Sequence, residues 1–178
     1  MLIVLNGYPG VGKLTIGRAL ADRLGGRLLD IHSVYNVAFA LTEFRSPDFY
    51  YATNAVEDLA DELIRRLPVT VPLVFTTVLT ENAARGAEAD MARFARRAQG
   101  RGPLRMVHLH CDLEENKRRI MSEGRDSLRK PRDPAMVERN HNGAALLSGC
   151  DLPHLLNLDV TDLSAEAAAA KIASWVEG

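Results

Sequence analysis

NGYPGVGKLT, residues 6–15, decides how the rest of the chain is read. Ahead of it, Leu2 to Leu5 form a short apolar run, the pattern of a strand buried on both faces of a parallel sheet. Behind it, Ile16, Ala19, Leu20 and Leu24 recur at helical spacing until Gly25 and Gly26 supply a stop. Gly7, Gly10, Gly12 and Lys13 satisfy the spacing GxxxxGK at this strand-to-helix junction. Glycines let the backbone curl so that successive N–H groups point inward at an anion, while the new helix offers its unpaired first-turn N–H groups and positive dipole end. Lys13 adds a mobile positive charge suited to β and γ phosphates, so the stretch reads as a nucleoside triphosphate loop.

The alternation begun there continues. Strands are expected over Arg27–Ile31, Leu73–Leu79, Arg105–Cys111 and His154–Val160, and helices over Asn54–Leu67, Ala83–Gln99, Leu113–Met121 and Ala165–Val176. Ser164 is placed to cap the last helix, with Glu166 in its first turn. Strands alternating with helices imply a parallel sheet covered on both faces. Two segments resist the pattern and are expected to be irregular insertions of the lid or binding-loop kind: Ser33–Thr53, crowded with aromatics, and Glu123–Asn142, polar, basic and interrupted by Pro131 and Pro134. No internal repeat or low-complexity tract divides the chain.

A chain of 178 residues with 47% hydrophobic composition holds one domain with a substantial core. Its formal net charge of -1 gives no global attraction to nucleic acid or to an acidic membrane surface. Cys111 and Cys150 lie far apart without a CxxC spacing, which fits a reduced, cytoplasmic setting and excludes a disulfide framework or a thiolate zinc site. The opening MLIVLNG has neither a basic leader nor a small-residue cleavage site, and no apolar run approaches the roughly 18 residues a membrane span needs. A soluble protein is expected.

The usual pattern sets Ser or Thr directly after the lysine to hold Mg²⁺; here Leu14 takes that place and Thr15 follows. Residues 7–15 fit GxPGxGKxT, and this resembles the loop of adenylate kinase and related small-molecule kinases. Over its whole length the chain resembles the group of P-loop kinases that includes shikimate kinase, nucleoside monophosphate kinases and chloramphenicol phosphotransferase, with the loop as the specific motif. The resemblance implies a single α/β domain over residues 1–178, a P-loop NTPase three-layer sandwich with a five-stranded parallel sheet and a helical, basic lid over 117–142. It implies ATP and Mg²⁺ as well. Gly7, Gly10, Val11, Gly12, Lys13, Leu14 and Thr15 would surround the phosphates, and Thr15 and Asp30 would face the metal, largely through water.

In those folds the second strand ends in an aspartate facing the γ-phosphate, and Asp30 stands at that place in RLLDIHSVYN. Asp30 is the candidate to orient or deprotonate an acceptor hydroxyl or to hold a Mg²⁺ water, against the plainer reading of a helix cap or turn residue. His32 would share its strand face if the strand continues, and is either the base instead or a residue that contacts substrate or packs. Between Lys117 and Arg132 there are seven Lys or Arg and two acidic residues, the basic cluster of the chain. By the resemblance, Arg119 would lie near the adenine and phosphates, and Arg125 and Arg129 would close on the γ-phosphate, where arginines stabilise spreading negative charge.

Asp112-Leu113-Glu114-Glu115 has capping-box spacing and is read as a cap in preference to a Walker B aspartate. Thr76 and Thr77 are the polar candidates at the end of the third strand, and His108 and His110 share a strand face but lack a third metal ligand. Six of the ten aromatic residues lie between Tyr35 and Tyr51. In the resembled kinases this 33–53 segment covers the acceptor, which suggests an apolar or aromatic small molecule contacted by His32, Tyr35 and Phe39, with Arg45 for an anionic group. TTVLTEN supplies no DGFPR-like segment, which counts against a nucleotide as acceptor. The leading expectation is an ATP-dependent kinase of a small hydroxylated molecule, acting as a monomer or homodimer away from membranes. A slowly hydrolysing nucleotide-binding switch is the alternative from another class, and the neutral overall charge argues against a polynucleotide 5'-hydroxyl kinase and other nucleic-acid partners.

Overall fold

In a computed structural model, residues 1–80, 87–122, 131–143 and 154–178 are described. The elements run β1 (Leu2–Asn6), α1 (Lys13–Leu24), β2 (Arg27–Asp30), α2 (Ile31–Leu41), α3 (Pro47–Arg66), β3 (Leu73–Thr77), α4 (Ala87–Ala98), β4 (Leu104–His110), α5 (Leu113–Ile120), α6 (Pro134–Asn142), β5 (Leu155–Asp159) and α7 (Ala165–Glu177). The five strands form one sheet in the order β2-β3-β1-β4-β5, every pair parallel. Because β1 is central, both of its faces are covered and all five of its residues are buried. Ile3 and Leu5 face α1 and α7 with Val107, Leu109, Ile172 and Ala173. Leu2 and Val4 face α3 and α4 with Phe75, Met106, Ile64 and Phe94. This is the expected three-layer arrangement, and the strand and helix positions follow the alternation read from the sequence.

Several boundaries differ from expectation. The 33–53 segment is not irregular: it holds α2 and the first turns of α3, which starts at Pro47 rather than Asn54. The start is chemically marked. The Ser46 hydroxyl accepts from the Phe49 N–H at 3.1 Å, Pro47 occupies the first turn, and Asp48 adds a negative charge there. Within 123–142, α6 forms on the same logic, with Asp133 accepting from the Ala135 N–H at 2.9 Å ahead of Pro134. β2 ends at Asp30 and α2 begins at the next residue, so His32 lies in the first turn of a helix and not on a strand face. Asp112 stands at the N-cap position of α5 but makes no side-chain cap bond. Glu115, the other half of the expected capping box, is held instead by Arg118 and Arg119, each at 2.6 Å.

α3 is fastened to the sheet through charge. Arg97 of α4 is buried, pairs with Glu57 and with Asp61 at 2.5 Å, and lays its guanidinium 5.0 Å from the centre of the Phe75 ring. Arg101 donates to the carbonyls of Ile64, Leu67, Pro68 and Val71 at 2.7 to 3.2 Å, closing the C-terminal end of α3. Among the described residues no helix is long and apolar enough to cross a membrane.

Candidate active site

From the carboxyl end of β1 the chain crosses one face of the sheet through α1 to β2, and from β3 it returns over the other face through α4 to β4, so the crevice at the carboxyl end of β1 is the topological switch point where open α/β sheets bind ligands. The loop after β1 fills that position. Gly10 and Gly12 adopt φ of 97° and 101°, the left-handed region that residues with a side chain rarely enter. Gly12 is the N-cap of α1, with no side-chain cap and no acidic residue in the first turn. The first amides of α1 thus retain their capacity for an anion, and the helix dipole adds to it. Lys13 Nζ donates to the carbonyls of Gly7 at 2.6 Å and Tyr8 at 3.0 Å, folded back along its own loop.

A cavity of about 590 Å³ opens over this loop. Of the residues singled out in the sequence, it brings together Gly10, Val11, Gly12, Lys13, Leu14, Thr15, Asp30, His32 and Arg119 along its walls. Gly7 lies just behind, where a Cβ would meet the Leu109 carbonyl at 2.6 Å. Asp30 is buried at the end of β2, and its Oδ1 accepts from the Thr76 hydroxyl of the neighbouring β3. The same hydroxyl oxygen accepts from the Ile31 N–H at 3.2 Å. One threonine therefore fixes both the carboxylate and the first turn of α2.

Arg119 is engaged on every side. It donates to Glu115, to the Val11 carbonyl at 3.2 Å, and to the carbonyls of Val160 and Thr161 at 2.7 and 2.9 Å. It thereby ties the loop to the turn after β5. Hydrogen bonds from Arg118 and then Arg119 hold the Glu115 carboxyl down to about 2.

Tyr35, Phe39 and Arg45 do not line the cavity. Tyr35 and Phe39 pack between α2 and α3 against Phe49, with ring centroids 5.9 and 5.4 Å away, and His32 stacks on Phe39 at 6.5 Å. Arg45, at φ 64°, lies over the ring of Phe44 in the α2–α3 turn. Arg125 and Arg129 lie outside the described residues. Arg18, Ser122 and Leu163 also line the cavity and were not read from the sequence. Arg18 could have been found from its place one turn after Thr15 on α1, whereas Leu163 carries no local signal.

Thr15 and Asp30 are the metal candidates. Thr15 is exposed at the cavity wall, and no cluster of three or more His, Cys, Asp or Glu is found among the described residues. Mg²⁺ keeps several waters and needs only one or two carboxylates beside substrate phosphates, so the single Asp30 carboxylate fits that ion.

A parallel sheet in this strand order, with a glycine loop and lysine after its central strand, defines a P-loop kinase fold. The chain belongs to the AAA domain family, whose model matches residues 3–141. In structure it is similar to a tunicamycin resistance protein from Deinococcus radiodurans, with 22% identity, TM-score 0.62, and coverage of 98% of this chain and 94% of the other. It is also similar to shikimate kinase from Acinetobacter baumannii, solved with shikimate, with 21% identity, TM-score 0.58, and coverage of 99% and 92%. In sequence, a 29-residue stretch is 69% identical to shikimate kinase from Thermobifida fusca (strain YX), spanning 16% of this chain and 17% of that protein.

Proposed function

We propose that the protein transfers the γ-phosphoryl group of ATP to a hydroxyl of a small molecule. The observation that carries this reading is the presence of Lys13 and the Asp30 carboxylate on the walls of one cavity, at the mouth of an anion-binding loop. In this reading the loop amides and Lys13 hold the β and γ phosphates. Asp30, steadied by Thr76, accepts the proton of the acceptor hydroxyl as its oxygen bonds to the γ phosphorus and the bond to the β-phosphate oxygen breaks, leaving ADP. Magnesium, when bound, neutralises charge on the phosphates; Asp30 would hold it through water, with Thr15 beside it. His32 contacts the acceptor from the first turn of α2. Tyr35, Phe39 and Arg45 serve the acceptor side through the α2–α3 hairpin that carries His32. Arg119 braces the loop beside the nucleotide, and in this reading Arg125 and Arg129 stabilise the charge on the γ-phosphoryl group.

The similar fold of a shikimate kinase supports the reaction class and leaves the acceptor at the level of a hydroxylated compound. Asp30→Asn tests the reading because it keeps shape and removes charge. ATP affinity measured by calorimetry should persist while phosphoryl transfer falls by about 10² to 10⁴. Transfer at the wild-type rate would remove Asp30 from the mechanism and turn attention to His32.

A further inference from the structure

Asn116 lies on the inner side of α5 with none of its surface exposed, against the phosphate-binding loop. Its Nδ2 donates to the Pro9 carbonyl at 3.0 Å. A Cβ on Gly10 would stand 2.3 Å from that nitrogen, so the glycine is what lets the amide come so close. The orientation of the amide follows from chemistry: a carbonyl only accepts, so the NH₂ group faces Pro9 and Oδ1 faces the other way. There it meets His141 Nε2 at 3.2 Å, which must carry a proton and donate it.

His141 stands near the end of α6, its ring centroid 6.0 Å from that of Tyr8 in the loop. The Tyr8 carbonyl is one of the two that receive Lys13 Nζ. α6 is itself seated by the fully buried Val137 and by the pair of Lys117 with Glu138 at 2.6 Å. A peptide unit is planar, so holding the Pro9 oxygen also fixes the direction in which the Gly10 N–H points.

We propose that His141 is a positioning residue, acting through Asn116 to set the Pro9–Gly10 peptide and so aim the loop amides at bound phosphate. This rests on the reading of residues 7–13 as a phosphate-binding loop. It assigns α6, which contributes no residue to the walls of the cavity, a part in nucleotide affinity.

Two substitutions at this exposed position separate the relay from plain packing. His141→Phe keeps a ring beside Tyr8 and loses the donor; His141→Gln loses the ring and keeps an N–H at nearly the same reach. Calorimetric titration of the full chain with ADP should find His141→Phe about fivefold weaker, the loss expected for one hydrogen bond that holds a binding group in place. His141→Gln should bind within about twofold of wild type, and both variants should remain folded at the titration temperature. ADP affinity of His141→Phe equal to wild type, or equal losses in the two variants, would overturn the relay while the wild-type affinity keeps the loop reading intact. Absence of ADP binding by the wild-type protein would instead overturn the loop reading, and the relay with it.

Discussion

Thr76→Val tests how the acceptor-side carboxylate is held. Thr76 is 2% exposed, and its hydroxyl donates to Asp30 while accepting from the Ile31 N–H at 3.2 Å. Valine has nearly the same volume, so packing against β2 is retained and only the hydroxyl is lost. A hydrogen bond to a charged group contributes about 1.5 to 3 kcal/mol, and an orphaned backbone donor costs about 1 kcal/mol or more when buried. The sum is about 3 kcal/mol. For a domain of this length, that lowers the melting temperature by about 6 to 12 °C. Thr76→Ser restores the hydroxyl and should recover most of the loss. Denaturant unfolding of the three proteins gives the stabilities, and phosphoryl transfer measured below the lowered melting temperature gives the effect on Asp30. A loss under about 0.5 kcal/mol in Thr76→Val, or no recovery in Thr76→Ser, would refute the claim that this hydroxyl anchors Asp30.

Three further outcomes are expected. Lys13→Ala should abolish triphosphate-dependent turnover with the fold intact, since Lys13 lines the cavity and supplies the charge that the proposed reaction sets against the β and γ phosphates; circular dichroism and turnover check this. The Glu115 carboxyl, held near 2 by Arg118 and Arg119 against an ordinary value of 4.5, stabilises the fold at and above the ordinary value and loses that contribution as pH falls toward 2. The melting-temperature gap between wild type and Glu115→Gln should therefore be constant above about pH 5.5 and close during acidification; a gap that widens in acid would contradict the pairing. Burial pushes the Cys111 thiol up to about 11. Iodoacetamide at pH 8 should leave Cys111 unmodified in the folded protein and alkylate it on unfolding, as read by peptide mass mapping.

The parts of the molecule legible in the sequence are those whose information is local. The loop from Gly7 to Thr15 declares its glycines and lysine within a few residues, and β1 declares double burial by an unbroken apolar run. α3 was signalled by Ser46-Pro47-Asp48, but the aromatics after it serve a helix–helix contact and mask the helical period. β2 passes directly into α2 without a turn residue to announce the change, so nothing local shows that the strand stops before His32. The capping box at Asp112 met a competitor that lies outside the motif, since Arg118 and Arg119 claim Glu115. Contacts across long sequence separations carried no pattern at all: Asn116 reaches Pro9 across 107 positions, and Thr76 reaches Asp30 across 46. Such pairs are created by the strand order and become visible only once the sheet is assembled.

Phosphoryl transfer to a small hydroxylated acceptor is read out by following the fate of the γ-phosphate. The protein is incubated with γ-labelled ATP, Mg²⁺ and a panel of hydroxylated small molecules, and products are separated by chromatography and mass. Label is expected on one acceptor hydroxyl with matching release of ADP, absent in Lys13→Ala. Label appearing as inorganic phosphate alone, unchanged by any acceptor, would contradict it and identify a nucleotide-hydrolysing switch instead.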